Sequence, residues 1–189
     1  MGIKTILYNT EAPAEIITQL KDSKASLIAQ YQWKERQVKI KAGVKFKTEI
    51  PVYHNKPDIV IELSNPNQIY VIEVSIAYLQ NIILQEQIKE VRYSTNSRIQ
   101  ITKNNYTEVS RDTNLIEEIS HMYNKPTELA ILVFGSLGEI LQTQQYTKTK
   151  KIFSKLGINE KKFTKLEEIC SYNILNQSSK ILVRRMEEH

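Results

Sequence analysis

From Ala14 to about Lys41, apolar residues recur at Ile16, Ile17, Leu20, Leu27, Ile28, Tyr31 and Val38, with Lys and Gln between them. That spacing marks one helical face and predicts one long helix, or two in series, ending at Gly43. Lys45 to Tyr53 alternates apolar and polar positions and reads as a strand. Asp58 to Leu63 and Ile69 to Ile76 are runs rich in β-branched residues, separated by Ser64-Asn65-Pro66-Asn67-Gln68, whose residues favour a turn. This is the clearest hairpin in the chain. Both of its strands are apolar at nearly every position, which predicts a place inside a sheet covered on both faces.

Leu79 to Tyr93 carries Leu84, Ile88 and Val91 at i, i+4 and i+7, a stripe that predicts a helix lying on the sheet, with Gln85, Lys89 and Arg92 on an adjacent face. Arg98 to Thr102 reads as a short strand, Asn114 to Met122 as a short helix, and Glu128 to Phe134 as a third apolar strand closed by Gly135 and Gly138. From about Glu139 the pattern is helical through Leu156, breaks at Gly157, and restarts with Asn159 as N-cap. The expected fold class is α/β, a mixed sheet flanked by helices. A chain of 189 residues suits one domain, with its core over about 31–138 and a helical C-terminal part over about 139–189.

Composition narrows the class without naming a function. Hydrophobic residues make up 41% and charged residues 25% of the chain, as in an ordinary globular protein. The formal charge of +5 suits a polyanionic partner without requiring one. The single cysteine, Cys170, forms no internal disulfide, and with His54, His121 and His189 scattered it builds no zinc cluster. The N-terminus lacks an apolar h-region and fails the myristoylation pattern at Ile6, and no apolar run reaches the roughly 18 residues of a membrane span. The expectation is an intracellular protein with no membrane partner, nuclear in a eukaryotic host.

The candidate chemistry lies in Lys56-Pro57-Asp58 and, across the hairpin, Glu73-Val74-Ser75. Folding about Pro66 brings position 58 opposite positions near 74, so the carboxylates of Asp58 and Glu73 fall on neighbouring strands within reach of one ion. Two acids held that close repel, and an oxygen-preferring divalent cation, Mg²⁺ or Mn²⁺, relieves the repulsion. The plainer alternatives are that Asp58 caps a turn and that Glu73 pairs with a lysine such as Lys89. Against these stands the position of Glu73 in the apolar run Ile69-Tyr70-Val71-Ile72-Glu73-Val74-Ser75-Ile76, where an unpaired carboxylate is costly.

These motifs resemble the PD-(D/E)xK nucleases, the superfamily of type II restriction enzymes and Holliday-junction resolvases. The resemblance implies a restriction-endonuclease-like sheet, metal ligation by Asp58, Glu73 and the Val74 carbonyl, and a lysine two places after the Glu, where this chain has Ser75. It is similar to the restriction-like endonuclease domain of site-specific non-LTR (LINE-type) retrotransposons, in which a K-x-x-K-Y helix follows the acid strand. Here that helix reads Lys89-Glu90-Val91-Arg92-Tyr93. The similarity extends upstream to Tyr31-Gln32-Trp33-Lys34-Glu35-Arg36, where the family's histidine is missing, and downstream to Phe134-Gly135-Ser136-Leu137-Gly138.

What the resemblance implies is a metal-dependent DNA endonuclease that nicks target DNA for target-primed reverse transcription. Asp58, Glu73 and Lys89 are then the catalytic residues, and Lys34, Arg36, Arg92 and Tyr93 the DNA contacts. The reverse transcriptase region of the same polyprotein is the further expected partner, since the family's zinc knuckle is lacking, as in a piece of a longer chain. Two alternatives stay open: a catalytically silent nuclease fold used as a DNA-binding module, which Ser75 favours, and a structure-specific resolvase. Glu35 is weighed as a further acid at the site and His54 as a phosphate contact or a turn residue. The basic run Lys148 to Lys151, continued by Lys155, Lys161, Lys162 and Lys165, either tracks a DNA backbone or is a solvated face.

Overall fold

The computed structural model describes residues 27–187 apart from 53, 95–96, 102–105 and 111–112. Its centre is a five-stranded sheet in the order β1-β2-β3-β4-β7, formed by β1 (Leu27–Trp33), β2 (Arg36–Ala42), β3 (Ile59–Leu63), β4 (Gln68–Ala77) and β7 (Thr127–Gly135). All neighbours are antiparallel except β4 and β7, which are parallel. Between β4 and β7 the chain runs through a 3-10 turn at Leu79–Asn81 and α1 (Ile82–Ser94). It continues through a two-stranded ribbon, β5 (Ser97–Ile101) and β6 (Tyr106–Ser110), and α2 (Leu115–Tyr123). After β7 come α3 (Gln144–Lys155) and α4 (Glu160–Glu187). The fold is therefore mixed α/β, a sheet flanked by helices.

The expected first helix is not there over its described part. Leu27 to Ala42 is instead a hairpin of β1 and β2, while residues 14–26 of that expectation lie outside the described residues. The physical reason is visible in the burial. Leu27, Ala29 and Tyr31 point into the core and alternate with exposed positions, as do Val38, Ile40 and Ala42 with partly exposed ones. That is a period of two, and the pairing of Tyr31 with Val38 closes it around Lys34, which turns the chain at φ 57°.

Residues 45–52, expected as a strand, are irregular: Phe46 N–H donates to the Asn55 carbonyl (2.7 Å) and Ile50 N–H to the Glu118 carboxylate (3.2 Å). Pro51 lacks a donor for any ladder, and the segment instead buries Phe46 and Val52 under the sheet. The sixth strand, Tyr106–Ser110, carries no expectation from the sequence.

Because β3 and β4 are apolar on both faces, two cores form, one on each side of the sheet. On one side Ile59, Ile61, Tyr70, Ile72, Leu132 and Phe134 meet Ile152 and Phe153 of α3 and Phe163 and Leu166 of α4. The packed body thus extends past residue 138 into both C-terminal helices. On the other side Val60, Ile69, Val71, Leu129 and Ile131 meet Ile82 and Tyr93 of α1 and Leu115 and Ile119 of α2. Each such fully buried side chain contributes roughly 1.5 to 3 kcal/mol, so the hairpin carrying positions 58 and 73 is among the most firmly held parts of the chain.

Three smaller devices complete the body. β7 is an edge strand, and at Ile131 its outward N–H and C=O are both met by the Thr149 hydroxyl of α3 (3.0 and 2.9 Å). Asn114 caps α2, its side chain accepting from Glu117 N–H, and Asn159 Oδ1 accepts from Lys162 N–H at the start of α4 (2.9 Å). Gly157, at φ 80°, lies so close to the Trp33 ring that a Cβ there would sit 2.2 Å from it. Among the described residues no helix is long and apolar enough to cross a membrane.

Candidate functional site

Strand register builds the site. Ile59 faces Ile72 and Val60 faces Val71, so Asp58, one place before β3, stands directly opposite Glu73. The alternation of β4 puts Ile69, Val71, Glu73 and Ser75 on the side covered by α1, and Asp58 shares that side through its pairing with Glu73. The two carboxylates are therefore same-face neighbours. Beyond Ile72 no β3 residue pairs with β4, which continues along β7 to Ala77, so Asp58 sits at the open end of the hairpin and is exposed. Glu73 is 1% exposed.

Backbone amides lock the pair. Asp58 N–H donates to Glu73 Oε1 (3.0 Å) and Val74 N–H donates to Asp58 Oδ2 (2.8 Å). From α1, Lys89 Nζ donates to Glu73 Oε2 at 2.6 Å. One turn further on, the Tyr93 hydroxyl lies near enough to Glu73 for the carboxylate's charge to act on it. Tyr93 is buried, its ring 6.1 Å from that of His54 and 5.8 Å from the Lys89 ammonium. Burial, and then the charge of Glu73, push its phenol upward, so it stays neutral.

Burial and the Asp58 charge together raise the Glu73 carboxyl above the usual carboxylate range, and the Lys89 ammonium pulls it back only in part. The 2.6 Å contact nonetheless has the geometry of a charge-assisted bond. Among the described residues Lys89 is the ammonium bonded to Glu73, with the Asp58 carboxylate beside it and Arg92 adding positive charge near Tyr93. All the available donors are hard oxygens, namely the Asp58 and Glu73 carboxylates and the Val74 carbonyl. That set fits a largely hydrated Mg²⁺ or Mn²⁺. Among the described residues no group of three or more His, Cys, Asp and Glu side chains converges, so waters would complete such an ion's shell.

Ser75 accepts from Gln85 Nε2 (3.0 Å). Gln85 lies one turn before Lys89 on α1, so that helix supplies partners for both Ser75 and Glu73. Arg92 stands beside Tyr93 on α1, half-buried, and its charge is felt by the Tyr93 phenol.

Lys34 and Arg36 are not at this site. They flank Glu35 in the β1–β2 turn, at the end of the sheet where Leu63 pairs with Gln68, whereas Asp58 lies at the end where Ala42 pairs with Ile59. The seven residues of β2 from Arg36 to Ala42 span about 20 Å at the usual rise of a strand. Both cations instead stack on Trp33, at 5.7 and 5.6 Å from its ring. Glu35, weighed as a further acid at the site, is thus placed away from Asp58 and Glu73 because the expected helix is a hairpin, and any contact of Lys34 and Arg36 with DNA would be made at that far end of the sheet. The basic run on α3 is largely neutralised: Lys148 pairs with Glu90, Lys150 with Glu160 and Lys155 with Glu128.

Two features escaped the sequence. One is the pair of backbone amides that hold the acids, whose only signal was the hairpin register. The other is Glu86 of α1, buried and accepting from the Thr143 hydroxyl (2.9 Å).

Compared with protein-family models, with curated proteins and with solved structures, the chain gives no match.

Proposed function

We propose that this chain is a metal-dependent DNA endonuclease of restriction-like architecture, and that Asp58 and Glu73 with the Val74 carbonyl hold its Mg²⁺ or Mn²⁺. The observation that carries the reading is the same-face pairing of Asp58 and Glu73 at the open end of the hairpin, each held by a backbone amide of the facing strand. When bound, the ion supplies Lewis-acid polarisation of a phosphodiester and a more acidic water. Asp58, exposed, presents its carboxylate outward; the Asp58 and Val74 amides fix both acids so that neither has to reorganise. Lys89 supplies the positive charge that Ser75 cannot, from a flexible four-carbon stem. Tyr93 lies beside Glu73, and Arg92 takes the place of a phosphate contact. The role in nicking target DNA for a reverse transcriptase of the same polyprotein rests on the resemblance of the PD hairpin and the Lys89 helix.

A second reading has its own observation. Glu73 already has Lys89, the Asp58 amide and Tyr93 around it, which is what a closed structural ion pair in a silent DNA-binding module would have. Incubation of the chain with supercoiled plasmid, with and without Mg²⁺ or Mn²⁺, separates the two. Nicking that chelator abolishes supports the enzyme, and DNA binding without nicking supports the silent module.

A further inference from the structure

The Lys89 ammonium stands where a cation bound to Glu73 would stand. It contacts Oε2 at 2.6 Å, while Oε1 is taken by the Asp58 amide and Asp58 Oδ2 by the Val74 amide. Its side chain is only 13% exposed, so its head group is enclosed with Glu73 and does not range through solvent. We propose that Lys89 is the resident cation of this seat, and that a divalent ion entering between Asp58 and Glu73 must displace it from Glu73 Oε2.

Resting on the endonuclease reading, this makes metal uptake and lysine release one exchange. Two cations at one carboxylate repel each other, so the ion's affinity is set by competition with an ammonium covalently tethered at high local concentration. The displaced head group has a route, because its stem is flexible and Gln85 and Ser75 form a polar neighbourhood one helical turn away. The exchange also keeps the buried Glu73 paired in both states, which an open metal seat would not.

The test uses the full chain without DNA. Mn²⁺ binding is followed by electron paramagnetic resonance and by titration calorimetry for the parent and for Lys89→Met, which keeps the stem and removes the charge. Without the competitor, Mn²⁺ should bind at least about tenfold more tightly to the variant, and should raise the variant's Tm by more than the parent's. Since the variant can fail to fold with Glu73 unpaired, a second measurement uses the parent alone: amine acylation of Lys89, read by mass spectrometry. Saturating Mn²⁺ should make the enclosed amine more reactive. If Mn²⁺ binds the parent while Lys89 labelling stays unchanged, or binds the variant no more tightly, the exchange is overturned and the metal site stands. If Mn²⁺ binds neither protein, the exchange and the endonuclease reading fall together.

Discussion

The Asp58 amide donates to Glu73 Oε1, and the Asp58 carboxylate in turn accepts from the amide of Val74, the residue next to Glu73. The two acids are thus fixed to one another's strands by backbone groups before any helix contributes. Lys89 and Tyr93 of α1 then close the arrangement from above, and the consequences can be measured.

Lys89→Ala leaves a carboxylate that is 1% exposed without its cation. Breaking one side of a buried pair typically costs about 3 to 5 kcal/mol. The loss should shrink in acid. A carboxyl whose folded pKa lies above its unfolded value of 4.5 is most favourable to folding below that value, and its contribution is lost as pH rises through the folded pKa. Neutral Glu73 needs no ammonium, so urea denaturation of parent and variant should give a wide gap at pH 7.5 and a narrow one near pH 4.5.

Glu86 is raised by burial and by the charge of Glu90, against the hydrogen bond it accepts from Thr143. By the same sign, its ionisation works against the fold once pH rises above its folded pKa. Glu86→Gln keeps an acceptor for the Thr143 hydroxyl and removes the charge. It should stabilise the protein by on the order of 1 kcal/mol at pH 7.5 and do nearly nothing at pH 4, as read from denaturation midpoints across that range.

Gly157→Ala places a methyl carbon against the Trp33 ring in a backbone conformation that side chains resist. A loss of roughly 1 to 3 kcal/mol is expected from strain and overpacking. Trp33 is the sole tryptophan, so its fluorescence should shift in the folded variant. An unchanged spectrum with unchanged stability would mean that α4 does not start against β1 as described.

Legibility in the sequence followed the physics of each element. The β3–β4 hairpin was readable because its runs are apolar at every burial-demanding position and broken by Asn65-Pro66-Asn67, and register then placed Asp58 and Glu73 without further information. The Lys89 helix was readable by period, although it buries Ile82, Glu86, Ile88 and Tyr93 fully and leaves Leu84 and Val91 half-exposed. The β1–β2 hairpin was not, since Leu27, Ile28 and Tyr31 fit a helical face as well as Leu27, Ala29 and Tyr31 fit a strand. Its turn is made by Lys34 at positive φ with no glycine to signal it. Reading that hairpin as a helix put Glu35 near the acids, whereas the β1–β2 turn lies at the other end of the sheet. Tyr93, expected as a DNA contact, is buried on α1 beside Glu73.

The most direct measurement is the single-turnover rate at which parent and Asp58→Asn nick supercoiled DNA under saturating Mn²⁺, with DNA affinity determined in parallel. Asparagine keeps an oxygen for the Val74 amide, so the hairpin is preserved while the anionic ligand is removed. The account predicts metal-dependent nicking by the parent, a loss of at least about a hundredfold in the variant, the scale of one lost charge-stabilising group, and DNA affinity equal to the parent's or higher. A variant that nicks at the parental rate, or a parent that binds DNA and never cuts it with either metal, would contradict it.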